Sequence, residues 1–188
     1  MNLPANLKLI ALLLPGSLSD QVKKEQLFIA NTWGSKHALR TPPHITVIPP
    51  ISVNDDEEKS LLKIAEKISK VIHPFTLQLD RYDSFKPRVV FIHPEDSIEL
   101  NDLQVVWRRE LLASIPHVLE KYPERPYHPH ITLAHRDVTP EQFKKIWMHY
   151  AEQKFSSSFG VKSFWILKHN RNGWEPEKEF LLKEKDYM

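Results

Sequence analysis

The chain has 188 residues and a formal net charge of +2, from 26 Lys and Arg against 24 Asp and Glu. That fits one ordinary domain and is too little charge to coat nucleic acid unaided. There is no cysteine, which excludes thiol nucleophiles, zinc ribbons, iron–sulfur clusters and disulfides. The four glycines lack P-loop or dinucleotide spacing, so no backbone cradle for phosphate is expected, whereas 15 prolines and 10 histidines run high.

Leu7–Leu14 reads as a buried strand ended by Pro15-Gly16, far too short to cross a bilayer. No signal-peptide pattern precedes it, so a soluble, cytoplasmic, monomeric protein with no membrane partner is expected. Ser19 or Asp20 can cap a helix running to about Trp33. After Pro42-Pro43, His44 to Ile48 reads as a short strand, which Pro49-Pro50 should close. Asn54 with Glu57 marks a helix start, and Leu61, Ile64, Ile68 and Val71 follow at helical period. The Asp55–Glu58 charge run is read as the acidic first turn of that helix. Phe75, Leu77 and Leu79 then alternate with polar residues as in a strand.

The second half repeats the order. Arg88–Ile92 reads as a strand, Leu100, Leu103, Trp107 and Leu111 as a helical stripe, and His130 to Ala134 as a short strand. Thr139-Pro140-Glu141-Gln142 combines a threonine cap, proline at the first helical position and a capping box. Ser158–Leu167 and Glu179–Leu182 read as closing strands around a turn at Asn172-Gly173. The expected fold is α+β: a bilobal duplicated unit with two antiparallel or mixed sheets flanked by helices and a cleft between the lobes. The expected domain is 1–188, with pseudo-repeats 1–84 and 85–188.

The two short strands carry nearly one peptide, Pro43-His44-Ile45-Thr46-Val47 and Pro129-His130-Ile131-Thr132-Leu133. Residues i and i+2 of a strand share a face, so each His and Thr should point away from the core that Ile45, Val47, Ile131 and Leu133 enter. Two imidazoles can pass protons near neutrality as base and acid, and two hydroxyls can donate to phosphoryl oxygens. A phosphodiester needs both services. The residues alone leave the two histidines interchangeable. A rival reading makes His128-Pro129-His130 a zinc site, but further ligands are wanting: His135 has the opposite strand parity, and Glu124 and Asp137 lie outside the strand. No metal and no cofactor is therefore expected. Arg40 and Arg125 are candidate phosphate ligands by proximity, and Tyr127 and Phe85 are candidates for contacting a substrate base. The other histidines are read as surface or capping residues, and Trp107 and Trp147 as core.

On these residues the chain resembles the 2H phosphoesterase superfamily. The paired motifs His44-Ile45-Thr46-Val47 and His130-Ile131-Thr132-Leu133 carry the likeness, together with Lys86-Pro87-Arg88-Val89-Val90-Phe91 and the Pro-rich run at 42–50. Within that superfamily it is most similar to the 2′-5′ RNA ligase-like branch, which includes RNA 2′,3′-cyclic phosphodiesterases. The resemblance implies that His44 donates a proton to the leaving 3′ oxygen, that His130 accepts one from water, and that Thr46 and Thr132 bind phosphate. It implies RNA 3′ ends or small cyclic nucleotides as partners. Ligation through a 2′-5′ bond, cleavage of another cyclic nucleotide or 2′-5′ oligonucleotide, and RNA-end binding without turnover are the alternatives. One position departs from the pattern: many relatives carry arginine where this chain has His135, and Arg136 follows it. Strand alternation leaves open whether Arg136 reaches the phosphate.

Overall fold

Apolar residues, alternating with polar ones in some strands and continuous in others, build the sheet, and a computed structural model, which describes residues 6–122 and 126–185, shows how the strands pair. In chain order the elements are β1 (Leu7–Leu13), α1 (Gly16–Trp33), β2 (His44–Ser52), α2 (Asp55–Val71), β3 (Phe75–Phe85) and β4 (Val89–Pro94). There follow α3 (Ile98–Ser114), β5 (Ile131–Ala134), α4 (Pro140–Tyr150), β6 (Lys154–Val161), β7 (Ser163–His169) and β8 (Trp174–Leu181). The capping boxes read from sequence both form: Asn54 accepts from the Asp56 and Glu57 amides, and Thr139 from that of Gln142. α1 starts earlier than expected, at Gly16, with no side-chain cap.

The strands form one eight-stranded sheet, ordered β6-β3-β4-β5-β2-β1-β7-β8, with every pairing antiparallel. This corrects the expectation of two sheets. The join is narrow, a single registered pair between Ile45 of β2 and Ile131 of β5. Pairing there spares both strands an open edge. The quartets on either side also exchange strands relative to the sequence halves. β3 pairs with β4 and β6, and β7 pairs with β1, Lys8 facing Lys168. α1 and α4 pack against the quartet that holds β5, and α2 and α3 against the quartet that holds β2.

Two boundaries differ for local reasons. β2 runs through Pro49-Pro50 to Ser52, because its pairing with β1 is irregular there: the register shifts between the Ile10↔Ile48 and Lys8↔Ile51 pairs, where missing amide donors are tolerated. The apolar run 158–167 is two strands broken at Lys162, with β6 on β3 and β7 on β1, far apart in the sheet order. The main core takes Ile45, Val47, Ile131 and Leu133, all 1% exposed or less. Burial of Ile45 and Ile131 alone contributes roughly 1.5–3 kcal/mol each, so the joining rung is also a packing anchor. Lys8, buried in β1, bonds Glu58 of α2 at 2.6 Å and Glu177 of β8 at 2.5 Å. It ties three elements behind the site.

Candidate active site

Because Ile45 and Val47 enter the core, His44 and Thr46 project from the other face of β2, and His130 and Thr132 do the same across the rung. All four line one cleft of about 370 Å3. The two histidines are held alike. His44 Nδ1 lies 2.8 Å from the Pro42 carbonyl oxygen and His130 Nδ1 lies 2.8 Å from that of His128. A carbonyl only accepts, so Nδ1 carries the hydrogen in each ring and Nε2 presents its lone pair. The prolines at 43 and 129 stand in sequence between each histidine and the residue whose carbonyl holds its ring.

Burial lowers both proton affinities. His44 is pushed down to about 4 by burial, against the Pro42 carbonyl and with help from the His130 charge. His130 is lowered by burial, partly offset by the His128 carbonyl, and further by the charges of His128 and His93. Phe85 and Phe91 pack on the His130 ring with centroids 5.2 Å away. They wall one imidazole with aromatic carbon and fix its plane.

Thr46 and Thr132 have no hydroxyl partner among the described residues, while each backbone carbonyl is tied by a side chain from outside its own strand. Tyr127 Oη donates to Thr46 O at 2.7 Å, and Gln26 Nε2 donates to Thr132 O at 2.9 Å. The Tyr127 hydroxyl is therefore spent on β2, and its ring packs against the core, outside the cleft lining. Burial raises its proton affinity, which suits a donor.

β5 ends at Ala134, so strand alternation does not govern the next residues. Arg136 adopts φ 59°, an uncommon left-handed conformation for a side chain of its size. The turn is clamped by Asp137, whose carboxylate accepts from Ser35 Oγ at 2.7 Å and from the Lys36 and His37 amides at 2.7 and 2.9 Å. His135 and Arg136 both reach the cleft lining as a result, joined by His37, Arg40 and Arg171. His37 and His135 meet edge to face at 4.8 Å. Burial, then the charges of His37 and Arg136, push His135 down to about 4. His128 is exposed and outside the lining, and among the described residues no three His, Asp or Glu side chains gather to hold a metal. Arg125 lies outside the described residues.

Several lining residues carried little sequence signal. Gln26 had one: it occupies the buried stripe of α1 between Val22 and Ile29, where a polar residue wants a partner. Arg171 comes from the β7–β8 turn and Trp174 from the start of β8, both brought to the cleft by β1–β7 pairing. Gly173 is required by close approach, since a Cβ there would lie 1.9 Å from the Arg40 carbonyl oxygen.

Two histidines and two threonines thus line one cleft on an antiparallel sheet, and comparison with known proteins identifies the family. The profile of the 2′-5′ RNA ligase superfamily matches residues 14–173. The chain belongs to that family, whose members are 2H phosphoesterases. A Bacillus licheniformis protein provisionally named a phosphoesterase is 33% identical over 144 residues, 75% of this chain and 80% of its own. The RNA 2′,3′-cyclic phosphodiesterase of Bacillus subtilis is 33% identical over 97 residues, about half of each chain. Among solved structures, TT0787 of Thermus thermophilus superposes with a TM-score of 0.72 at 19% identity, over 96% of this chain and all of that one. E. coli LigT complexed with 3′-AMP gives 0.64 at 22% identity, over 95% and 99%. These likenesses support the fold. Among the described residues no helix is long and apolar enough to cross a membrane.

Proposed function

We propose that the protein hydrolyses a 2′,3′-cyclic phosphate at an RNA end, or on a related nucleotide, to the 2′-phosphate. The observation that carries this is the matched pair of imidazoles, each fixed through Nδ1 and each presenting Nε2 to one cleft. In the reaction, His130 Nε2 takes a proton from water as the water oxygen bonds to phosphorus. The bond from phosphorus to O3′ breaks, and His44 gives its Nε2 proton to that oxygen. Thr46, Thr132 and Arg136 donate to the non-bridging oxygens as charge develops there.

The protein must protonate His44 first. Its low affinity in the empty cleft rises when the phosphodiester anion enters, because a nearby negative charge favours imidazolium. The lowered affinity of His44 suits the acid: an imidazolium that holds its proton loosely gives it up readily to the leaving oxygen. That the LigT structure holds 3′-AMP and that a relative is named an RNA 2′,3′-cyclic phosphodiesterase support a nucleotide substrate.

The test is cyclic-ended RNA incubated in excess EDTA, with the product identified by phosphorus NMR. A 2′-phosphomonoester is expected. Abolition by EDTA, or undiminished turnover in His130→Ala, would overturn the reading. RNA bearing a 5′-hydroxyl, added to the same assay, reveals joining if the hydroxyl replaces water as nucleophile, the activity for which the family is named.

A further inference from the structure

Beside the catalytic cleft lies a second hollow of about 320 Å3. The two share Gln26, Arg40, Thr41 and Trp174, and the outer one adds Lys23, Leu27, Leu39 and Pro42. Among the described residues no carboxylate lines either. Lys23, Arg40 and Arg171 have no ion-pair partner among the described residues. Leu27 and Leu39 stay 47% and 38% exposed. One such leucine is ordinary on a protein surface, but two on the floor of one hollow between cations make a platform. The junction is rigidly built: Gly173 packs on the Arg40 backbone, and the half-buried Trp174 ring is braced edge-on by His169 at 5.0 Å.

An apolar floor, an indole and cations without counter-charges are what a single strand of nucleic acid needs, the bases resting on carbon and the phosphate on the cations. We propose that the outer hollow is a subsite for the nucleotide 5′ to the cyclic end. Arg40 and Lys23 take the phosphodiester between the last two nucleotides, and Leu27, Leu39 and Trp174 support the penultimate base. The substrate is then an oligonucleotide end in preference to a free cyclic mononucleotide. This rests on the phosphodiesterase reading above for the orientation of the chain.

The experiment compares kcat/KM for a cyclic-ended dinucleotide with that for the matching cyclic mononucleotide. Alongside it, calorimetry measures the affinities of the 3′-phosphorylated dinucleotide and mononucleotide, which need no turnover. Wild type, Lys23→Ala and Leu39→Ser are measured at low and physiological salt. In wild type the dinucleotide should be favoured about tenfold in both readouts. Its log–log salt slope should be steeper by about 0.7, the contribution of one added single-strand phosphate. Both variants should shrink that preference. Equal affinities in wild type, or a preference unchanged in both variants, would overturn the subsite. Tighter dinucleotide binding with no turnover of either substrate would support the subsite and overturn the phosphodiesterase reading.

Discussion

The motif at His44 and the motif at His130 share their residues but not their surroundings. His44 opens a nine-residue strand and is itself paired with Leu13 of β1. His130 stands one residue before a four-residue strand, with Phe85 and Phe91 on its ring. The same Nδ1 tether therefore fixes one imidazole inside a ladder and the other in a looser, aromatic-walled approach. Burial lowers the proton affinity of both rings, with the His130 charge adding to the effect at His44 and those of His128 and His93 at His130. The two motifs place like groups in unlike surroundings, which is what the proposed division into acid and base requires.

The sharpest way to break that comparison is to remove each ring. His44→Ala and His130→Ala should each lower kcat about 10³-fold on cyclic-ended RNA. A phosphodiester with a good leaving group, such as a nitrophenyl ester, should restore much of the rate in His44→Ala and little in His130→Ala, because only the acid becomes dispensable. Equal rescue would erase the division of labour. Next in size, Thr46→Val and Thr132→Val should each cost about 10²-fold in kcat with KM less affected, as donors to developing charge do. A loss confined to one of them would mean that the phosphate is gripped from one strand.

Acidity gives a subtler test. kcat/KM follows the product of protonated His44 and neutral His130 in the free protein. Both affinities are lowered, so its optimum should lie below pH 6.5. kcat reports the complex, where the substrate anion raises the acid, so its alkaline limb should sit at higher pH. Superimposed limbs in the two profiles would contradict a substrate-assisted protonation of His44. The smallest effects concern the ties behind the threonines. Tyr127→Phe and Gln26→Leu should each cost about 1–2 kcal/mol in denaturant unfolding, since each leaves a carbonyl in the motif strands without its donor.

The site was more legible in the sequence than the sheet. His44, Thr46, His130 and Thr132 were evident because a period-two strand and a repeated peptide are local patterns, and the structure brings all four to one cleft. The helix starts at Asn54 and Thr139 were legible for the same reason. The single sheet was not, since the Ile45↔Ile131 rung and the exchange of β3 and β7 between quartets are decided by which edges meet in space. Tyr127 illustrates the limit. Its position beside the motif suggested substrate, but only tertiary packing shows that its hydroxyl is committed to Thr46. Arg136 reaches the cleft through a left-handed turn clamped by Asp137, a partnership across a hundred residues that strand parity could not foresee.

The strand exchange also imposes an order on the birth of the protein. β1 is made well before its second neighbour, β7, because Lys168, which faces Lys8, lies 160 positions further along the chain. Arg171 in the next turn and Trp174 at the start of β8, which both line the cleft, follow β7. Until then both histidine motifs exist on a chain whose sheet is open along β1 and whose cleft lacks a wall. Such late, long-range closure slows folding. It also means that a nascent chain carrying both histidine motifs cannot assemble the complete cleft until β7 and the residues after it have been made.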